Sequence, residues 1–373
     1  MSNSGSLADA LLYDRRPGGK NAAATGLLTY YDESTLSVDR SRWDFFAELA
    51  EYGPGGSRLD SEQSLAYAEA YCRYVAKTHY ENFQIASWFL PRHLRQDFAN
   101  IYAYCRWADD CADEASSSHQ ATALLAWWQE ELSRLFRGQP PRHPVMRALA
   151  ITIDRHHLPQ SPFDDLISAF TQDQVQQRYE SADELRDYCS RSASPVGRLV
   201  LGLAQASHDA ENLRLSDQIC TGLQLANFCQ DMAGDAALGR IYVPRQFWAA
   251  HGVDEGMILA ARPTDQLRSM LKSWTGEARS HLDAGATLVE RVPQWLALDV
   301  HLFRAGGLAI LDQIERADYD VWTRRPTVSK FRKLRLALSA LWRQRYGRTR
   351  FLARPPSQSG AARSMGTRDK RGN

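Results

Sequence analysis

The chain has 373 residues, of which 44% are hydrophobic and 24% are charged. This composition is typical of globular proteins and excludes a disordered or fibrous chain. The chain has no run of about 20 consecutive apolar residues, the length that a membrane-spanning helix needs, and its first residues lack the order of a signal peptide. Its six cysteines form no Cys-x-x-Cys pair, which excludes a disulfide scaffold and a cysteine-based zinc site and favours a cytoplasmic protein.

The net charge of +1 hides an uneven distribution of charge along the chain. The segment from residue 321 to the end contains fifteen Lys and Arg and one acidic residue, a balance of +14, which leaves −13 for residues 1–320. Because contacts to phosphates need clustered basic side chains, the acidic body predicts no nucleic-acid partner. A basic end of this kind can bind nucleic acid, an anionic membrane surface or no partner at all.

Helical periodicity dominates the chain after a start that is rich in Gly, Ser and Asp. Residues 1–60 predict a loosely ordered extension with at most short helical pieces. Apolar residues then recur every three or four positions, which predicts helices over residues 62–88, 92–117, 120–137, 143–156, 162–178, 182–209, 215–236, 264–290, 294–318 and 328–345. Strand patterns are nearly absent, so we expect one all-α domain over residues 61–345 and a disordered basic tail over residues 346–373. Pro195 should kink its helix.

Two aspartate pairs with the same spacing are the most informative motif. Asp109 and Asp113 are four residues apart, as are Asp231 and Asp235, and this spacing places both side chains on one helix face. Carboxylates among apolar neighbours carry a large desolvation cost unless cations neutralise them. Mg²⁺ takes oxygen ligands and is commonly held by one or two carboxylates together with phosphate oxygens. Two facing pairs therefore predict Mg²⁺ ions with a diphosphate between them.

The residues alone also allow other interpretations of these pairs. A solvated acidic face is the ordinary interpretation of one such pair, but apolar and aromatic residues surround both. A di-metal carboxylate bundle needs Glu-x-x-His on paired helices, and no Glu-x-x-His occurs in the chain. Asp110 and Glu114 form a further pair beside the first, which makes Asp110 a candidate for an additional metal ligand through water.

Four separated motifs resemble those of the squalene/phytoene synthase family, over roughly residues 65–345. The acidic motifs resemble its Asp-x-x-x-Asp and Asn-x-x-x-Asp-x-x-x-Asp sequences, here at residues 109–113 and 227–235. Arg-Ile-Tyr-Val-Pro at residues 240–244 follows at the family's spacing, and residues 188–197 resemble the segment that lines its reaction cavity. Residues 104–110, 194–198 and 323–329 resemble the bacterial hopanoid-pathway branch. The chain departs from the common pattern at Gln230 and Gly234, where many members have Arg and Glu.

The resemblance implies an isoprenoid-synthase-type helical bundle around a central apolar cavity. The four aspartates and Asp110 would hold Mg²⁺, while Arg106, Arg240 and Tyr242 would contact the diphosphate. An internal salt bridge to Asp109 or Asp110 is the alternative for Arg106, and the two roles are compatible.

The rest of the predicted site would line the cavity and position a water molecule. The remaining substrate-binding candidates lie on or near the motif-bearing faces: Phe83, Tyr102, Ala193, Gly197, Gln224, Asn227 and Phe228. Core packing is the alternative for the aromatic residues, and Gly197 allows either substrate or a neighbouring helix to approach. Tyr188, Asn227 and His79 are the candidates for positioning water, and a hydrogen-bonded structural role is the alternative for His79.

The resemblance implies an enzyme that ionises a prenyl diphosphate. In the hopanoid-pathway branch the cation from presqualene diphosphate is captured by water to give hydroxysqualene, and NADPH is not expected. The alternatives are squalene, presqualene diphosphate or phytoene synthesis from farnesyl or geranylgeranyl diphosphate, and squalene formation needs NADPH. A terpene cyclase and a non-catalytic, membrane-docking helical scaffold are further alternatives.

Residues 330–345 alternate Leu and Phe with Lys and Arg, which predicts a basic amphipathic helix. Such a helix suits peripheral attachment to the inner face of a membrane, where other hopanoid-pathway enzymes would be possible partners. A last helix packed on the core, with a solvated basic face, is the alternative.

Overall fold

The structure, a computed structural model, describes residues 43–61, 63–78, 90–260 and 262–327. His79, Phe83, the predicted basic helix and the predicted basic tail lie outside these residues. Within them, helices form nearly all the regular structure, and the only strand-like pairing is an isolated parallel bridge between Arg178 and Ile241. The predicted all-α fold is therefore confirmed. None of the described helices combines the length and apolar character needed to cross a membrane.

The first half of the described bundle carries the first acidic pair. Its helices are α1 (Phe45–Tyr52), α2 (Leu65–Thr78), α3 (Arg95–Asp113), α4 (Ser118–Phe136), α5 (Pro144–His156) and α6 (Ser161–Asp173). Helix α3 packs against α2, α4, α5 and α6, so it is central to this half. Large aromatic rings fill the core beside it, with Trp107 stacked on Trp128 at a centroid distance of 5.5 Å.

The second half of the described bundle carries the second acidic pair. Its helices are α7 (Ala182–Ser192), α8 (Ser194–Leu203), α9 (Ala210–Ala237), α10 (Arg245–Ala250), α11 (Glu255–Leu259), α12 (Asp265–Ala284) and α13 (Gln294–Arg316). Helix α9 packs against α7, α8, α12 and α13 and is central to this half. Its core includes Trp274, Leu282 and Phe228.

The two acid-bearing helices belong to different hydrophobic cores. Helix α3 lies in the first core and α9 in the second, and the two helices do not pack closely on each other. Helix α6 contacts α3 on one side and α7 and α8 on the other, and α7 and α8 in turn contact α9. The acidic pairs therefore border the region where the two cores meet, and the end of α6 enters that region between them.

The folded body begins before residue 61, where the predicted extension was expected to end. Phe45 and Tyr52 of α1 are buried in the first core. The side chain of Asp44 accepts hydrogen bonds from the backbone N–H groups of Phe46 and Ala47, which caps α1. Residues 43–60 are thus part of the bundle, because they supply aromatic surface that the first core buries.

Near the site, one predicted helix is kinked as expected and another ends earlier than predicted. The helix predicted over residues 182–209 breaks at Ala193 into α7 and α8, which confirms the expected kink beside Pro195. The helix predicted over residues 162–178 ends already at Asp173. A turn follows Asp173, and the non-helical segment after it bonds to α3 and to the loop after α9 as described below.

Candidate active site

The first acidic pair is buried on α3. Asp109 is 3% exposed and Asp113 is 8% exposed, which excludes the solvated acidic face for this pair. Nη1 of Arg106 donates to Oδ2 of Asp109 at 3.0 Å, and Nη2 donates to Asp110. The internal salt bridge considered for Arg106 is therefore present.

Asp110 lies on the side of α3 that faces α1. It is fully buried, and Nε1 of Trp43 donates to its Oδ2 at 2.8 Å while Arg106 donates to its Oδ1. Burial raises the pKa of Asp110 to about 7, against the lowering effect of Arg106. Both carboxylate oxygens thus accept hydrogen bonds from protein groups, and the role of Asp110 as a water-mediated metal ligand stays a prediction.

The second acidic pair is partly covered by the end of the described chain. Asp235 is 5% exposed, and the side chain of Asp231 is 22% exposed. Both oxygens of Asp231 accept hydrogen bonds from Arg325, at 3.0 Å for Nη2, and Nε2 of Gln230 donates to the carbonyl of Pro326 at 2.6 Å. Sequence reasoning missed Arg325 as a site residue, although it had singled out residues 323–329 as a branch motif.

The loop after α9 is anchored to the segment after α6. The backbone N–H of Ile241 donates to the carbonyl of Gln177 at 3.0 Å, and Nη1 of Arg178 donates to the carbonyl of Gly239 at 2.5 Å. These bonds fix the backbone on both sides of Arg240. The same segment reaches α3, because Nε2 of Gln174 donates to the carbonyl of Ala112 at 3.4 Å.

Four buried aromatic rings adjoin this loop. The rings of Phe228 and Tyr242 stack at a centroid distance of 3.9 Å and an interplanar angle of 7°. Tyr188 packs 6.0 Å from Tyr242 and 5.5 Å from Tyr179. Core packing, the alternative for Phe228 and Tyr188, is thus present, and it gathers three sequence-predicted residues and Tyr179 into one cluster.

Asp173, the last residue of α6, connects the aromatic cluster to the acidic pairs. It is 5% exposed, and the hydroxyl of Tyr188 donates to its Oδ2 at 2.7 Å. Burial raises the pKa of Asp173 to about 7; the Tyr188 hydrogen bond and Arg240 lower it, and the negative charge of Asp109 raises it. Sequence reasoning missed Asp173, because it has no partner at helical spacing and no motif marks it.

The pKa shifts of Arg240 and Asp235 show that residues of both acidic pairs interact electrostatically with Arg240. Burial lowers the pKa of Arg240, but nearby Tyr242, Asp173 and Asp113 raise it, so the net pKa is raised. Burial raises the pKa of Asp235 well above its usual range, and the negative charges of Asp231 and Asp173 add to that effect while Arg240 opposes it. Arg240 and Asp173 therefore each interact electrostatically with both acidic pairs.

The other predicted site residues in the described ranges are buried along the same helices. Tyr102 on α3 and Gln224 and Asn227 on α9 are at most 6% exposed, and Ala193 at the break between α7 and α8 is fully buried. For Gly197 the structure favours a neighbouring helix over substrate. A Cβ atom there would lie 2.7 Å from Sγ of Cys220 and would also meet Ser216, so its role is the close approach of α8 to α9.

The donor set fits Mg²⁺ as a cofactor. Among the described residues, five carboxylates and three arginines lie where the two cores meet: Asp109, Asp113, Asp173, Asp231 and Asp235, with Arg106, Arg240 and Arg325. An excess of buried carboxylate oxygens is the chemistry that a hard divalent cation prefers. The described residues contain no group of three or more His, Cys, Asp or Glu placed to hold one metal ion. The four aspartates of the two pairs therefore suit cations that are also bound by a ligand's phosphate oxygens.

The all-α bundle that carries the two acidic helices is an isoprenoid-synthase-type fold. The sequence profile of the Squalene/phytoene synthase family matches residues 76–332. The chain belongs to this family, whose members process prenyl diphosphates in isoprenoid biosynthesis. Phytoene synthase 3, chloroplastic, from Zea mays is 31% identical over 300 residues, which are 77% of this chain and 69% of that protein. The phytoene synthase of Arthrospira platensis is 31% identical over 281 residues, 70% of this chain and 89% of that protein.

Solved structures with the same fold include a squalene synthase. The chain is 43% identical to squalene synthase HpnC from Alicyclobacillus acidocaldarius, with a TM-score of 0.66 over 71% of this chain and 99% of that one. A dehydrosqualene synthase, solved in complex with a ligand, has a TM-score of 0.68 at 23% identity over 75% of this chain and 98% of that one. The second likeness concerns the fold alone.

Proposed function

We propose that this protein is a Mg²⁺-dependent hydroxysqualene synthase, which ionises presqualene diphosphate and captures the rearranged cation with water. The observation that carries the proposal is the convergence of two buried acidic pairs on Arg240 and Asp173, directly beside a cluster of buried aromatic rings. The 43% identity to a squalene synthase HpnC, against 31% to phytoene synthases, supports this branch of the family.

The two acidic pairs would bind the leaving group. Asp109 and Asp113 on one side, with Asp231 and Asp235 on the other, would hold Mg²⁺, which when bound supplies positive charge that stabilises the departing diphosphate. Arg240, held by its anchored loop, would donate to the same phosphate oxygens.

The aromatic cluster would serve the organic part of the substrate. The faces of aromatic rings attract cations, and a ring surface offers a carbocation no nucleophile. Phe228, Tyr188 and Tyr242 are each at most 5% exposed, so they also exclude bulk water from this side of the site. Water capture then requires a water molecule that is bound at a defined place.

Incubation of the full chain with Mg²⁺ and presqualene diphosphate, followed by mass analysis of the product, tests the proposal. Without NADPH, we expect hydroxysqualene and diphosphate in equal amounts. When EDTA removes Mg²⁺, we expect neither product. Squalene that forms only with NADPH would contradict the water-capture step. Cyclic products from a shorter substrate would indicate a terpene cyclase, and no turnover of any prenyl diphosphate would indicate a non-catalytic scaffold.

Phytoene synthesis is the second candidate, because phytoene synthases from Zea mays and Daucus carota match 77% and 71% of the chain at 31% and 32% identity. Parallel incubation with geranylgeranyl diphosphate and with farnesyl diphosphate distinguishes the two candidates. Phytoene from the first substrate would favour this candidate, whereas presqualene diphosphate as an end product from the second would place the chain at the preceding step.

A further inference from the structure

Asp173 and Arg240 each have a buried polar atom without a hydrogen-bond partner among the described residues. These atoms are Oδ1 of Asp173, an acceptor, and Nη1 of Arg240, a donor. The other oxygen of Asp173 accepts from Tyr188. Because buried polar groups are rarely left without partners, the pair of atoms points to a small polar ligand between the two side chains.

The two side chains attract each other without touching. The charge of Arg240 lowers the pKa of Asp173, yet no described acid forms an ion pair with Arg240. A bridging ligand must therefore donate to the carboxylate and accept from the guanidinium. A phosphate oxygen would satisfy Arg240 and be repelled by Asp173, and a metal ion would be repelled by Arg240. Water satisfies both, and two polar partners are enough to order one buried water molecule.

We propose that Asp173 and Arg240 bind the water molecule that captures the cation, and that Asp173 is the base that accepts its proton. This inference rests on the proposed hydroxysqualene synthesis and names the residue that completes it. The water donates to Oδ1 of Asp173 and accepts from Nη1 of Arg240, which leaves one lone pair for the cation. Tyr188 holds the other carboxylate oxygen, so the carboxylate cannot rotate away.

The step is balanced without a redox partner. The water oxygen forms a bond to the cationic carbon with its own electron pair, and one O–H bond breaks. That proton passes to Oδ1 of Asp173, the product keeps the hydroxyl group, and the neutral Asp173 returns its proton to solvent before the next turnover. Arg240 stays protonated throughout, because a guanidinium does not act as a base at neutral pH.

The titratable and charged groups that interact with Asp173 lie on α3, α7 and α9 and on the segments that follow α6 and α9. They are Asp109, Tyr179, Tyr188, Cys189, Arg191, Asp235, Arg240 and Tyr242. Arg191 is held away by hydrogen bonds to Gln172 and Asp187, at 2.6 Å each. Among the described residues, only Tyr188 donates a hydrogen bond to Asp173, and it occupies the oxygen that the water does not use.

Asp173→Asn tests the assignment in the full-length protein with Mg²⁺ and presqualene diphosphate. The amide keeps the shape of the side chain and an oxygen for Tyr188, but it is not a base. We expect diphosphate release to continue and the hydroxysqualene share of the products to fall at least about tenfold, with products of proton loss or rearrangement in its place. Circular dichroism checks that the variant is folded.

Asp299→Asn is the matched control. Asp299 on α13 is 3% exposed, and burial alone raises its pKa to about 8, so no charge of the site acts on it. This variant also removes a buried carboxylate, and it should leave the hydroxysqualene share unchanged.

Three results separate the inference from the proposed function. If the wild-type protein makes no hydroxysqualene, the proposed function fails. If the wild type does so and Asp173→Asn keeps the same product share, or is folded but no longer releases diphosphate, the inference alone is wrong. If the variant does not fold, the wild type decides: a base requires the hydroxysqualene share to fall as the pH is lowered below about 7, and a constant share overturns the assignment.

Discussion

Each acidic pair contains one aspartate that an arginine already neutralises. Arg106 binds Asp109 and Arg325 binds Asp231, while the pKa of buried Asp235 is raised well above its usual range. The arginines thereby offset part of the cost of burying these carboxylates, and the raised pKa of Asp235 reflects part of the cost that remains. The buried carboxylate of Asp235 destabilises the protein without ligand, and it can bind a cation when one is present.

Asp235→Asn separates these two effects. We expect prenyl diphosphate turnover to fall at least about 100-fold, because an amide is a poorer metal ligand than a carboxylate. Without Mg²⁺ the variant should be at least as stable as the wild type at neutral pH, since a buried carboxylate with a raised pKa has been removed. Enzyme kinetics and urea unfolding measure the two quantities. The exposed Asp265→Asn should leave turnover unchanged, and near-normal turnover by Asp235→Asn would refute the ligand role.

Trp43 is expected to stabilise the fold through its hydrogen bond to Asp110. Trp43→Phe removes the indole donor of a fully buried carboxylate, so the free energy of unfolding at neutral pH should fall by about 1–3 kcal/mol. Urea unfolding measures the loss. In an Asp110→Asn background the same change should cost less, because no buried charge then loses a partner. Equal losses in both backgrounds would mean that Trp43 contributes packing alone.

At the scale of elements, close helix packing positions the second acidic pair. Gly197 allows α8 to approach α9 next to Cys220 and Ser216, and the break at Ala193 turns α7 so that Tyr188 reaches Asp173. The segment after α6 then bonds to both α3 and the loop after α9. The spacing of the two acidic helices is thus set by small residues and short connections, and not by contact between the helices themselves.

Gly197→Ala tests the packing of α8 on α9. The added methyl group would lie 2.7 Å from Sγ of Cys220, so we expect the free energy of unfolding to fall by about 1–3 kcal/mol. Gly276→Ala on α12 is the control, because a Cβ atom there meets nothing within 4 Å and should add about 0.5–1 kcal/mol of stability. Urea unfolding of both variants measures this difference, and a stable Gly197→Ala variant would mean that the two helices separate at little cost.

For the whole molecule, the excess of buried carboxylates links stability to pH and to ligands. Asp110 and Asp173 have pKa values raised to about 7, above the value near 4 of an unfolded aspartate. A carboxyl group of this kind binds its proton more tightly in the folded state. The folded state therefore loses stability as the pH rises from about 4 through about 7.

We expect the protein without metal to become more stable as the pH is lowered from about 8 to about 6. Mg²⁺ with inorganic diphosphate should reduce this pH dependence and raise the melting temperature at pH 8. At a ligand concentration of 100 times the dissociation constant, the free energy of unfolding should rise by about 2.7 kcal/mol. Thermal unfolding across pH, with and without these ligands, measures both effects. Diphosphate with EDTA is the control, and stabilisation that persists there would argue against a metal-dependent site.

Much of this arrangement follows from the chain itself. The i, i+4 spacing of the aspartates, the apolar residues around them and Pro195 predicted the acidic helix faces and the kink, because these features depend on residues within a few turns of one helix. The all-α fold follows from the same local periodicity.

Only the tertiary structure decided which charges meet. Trp43 and Arg325 are 67 and 94 residues distant from their partners along the chain, and Asp173 lies in no motif, so helical spacing does not indicate these contacts. Likewise, the burial of Asp110 requires Trp43 and α1, which cover its side of α3. Sequence reasoning placed these residues in a loose extension. Local spacing determines which side chains share a helix face, whereas the packing of two separate cores determines what each face meets.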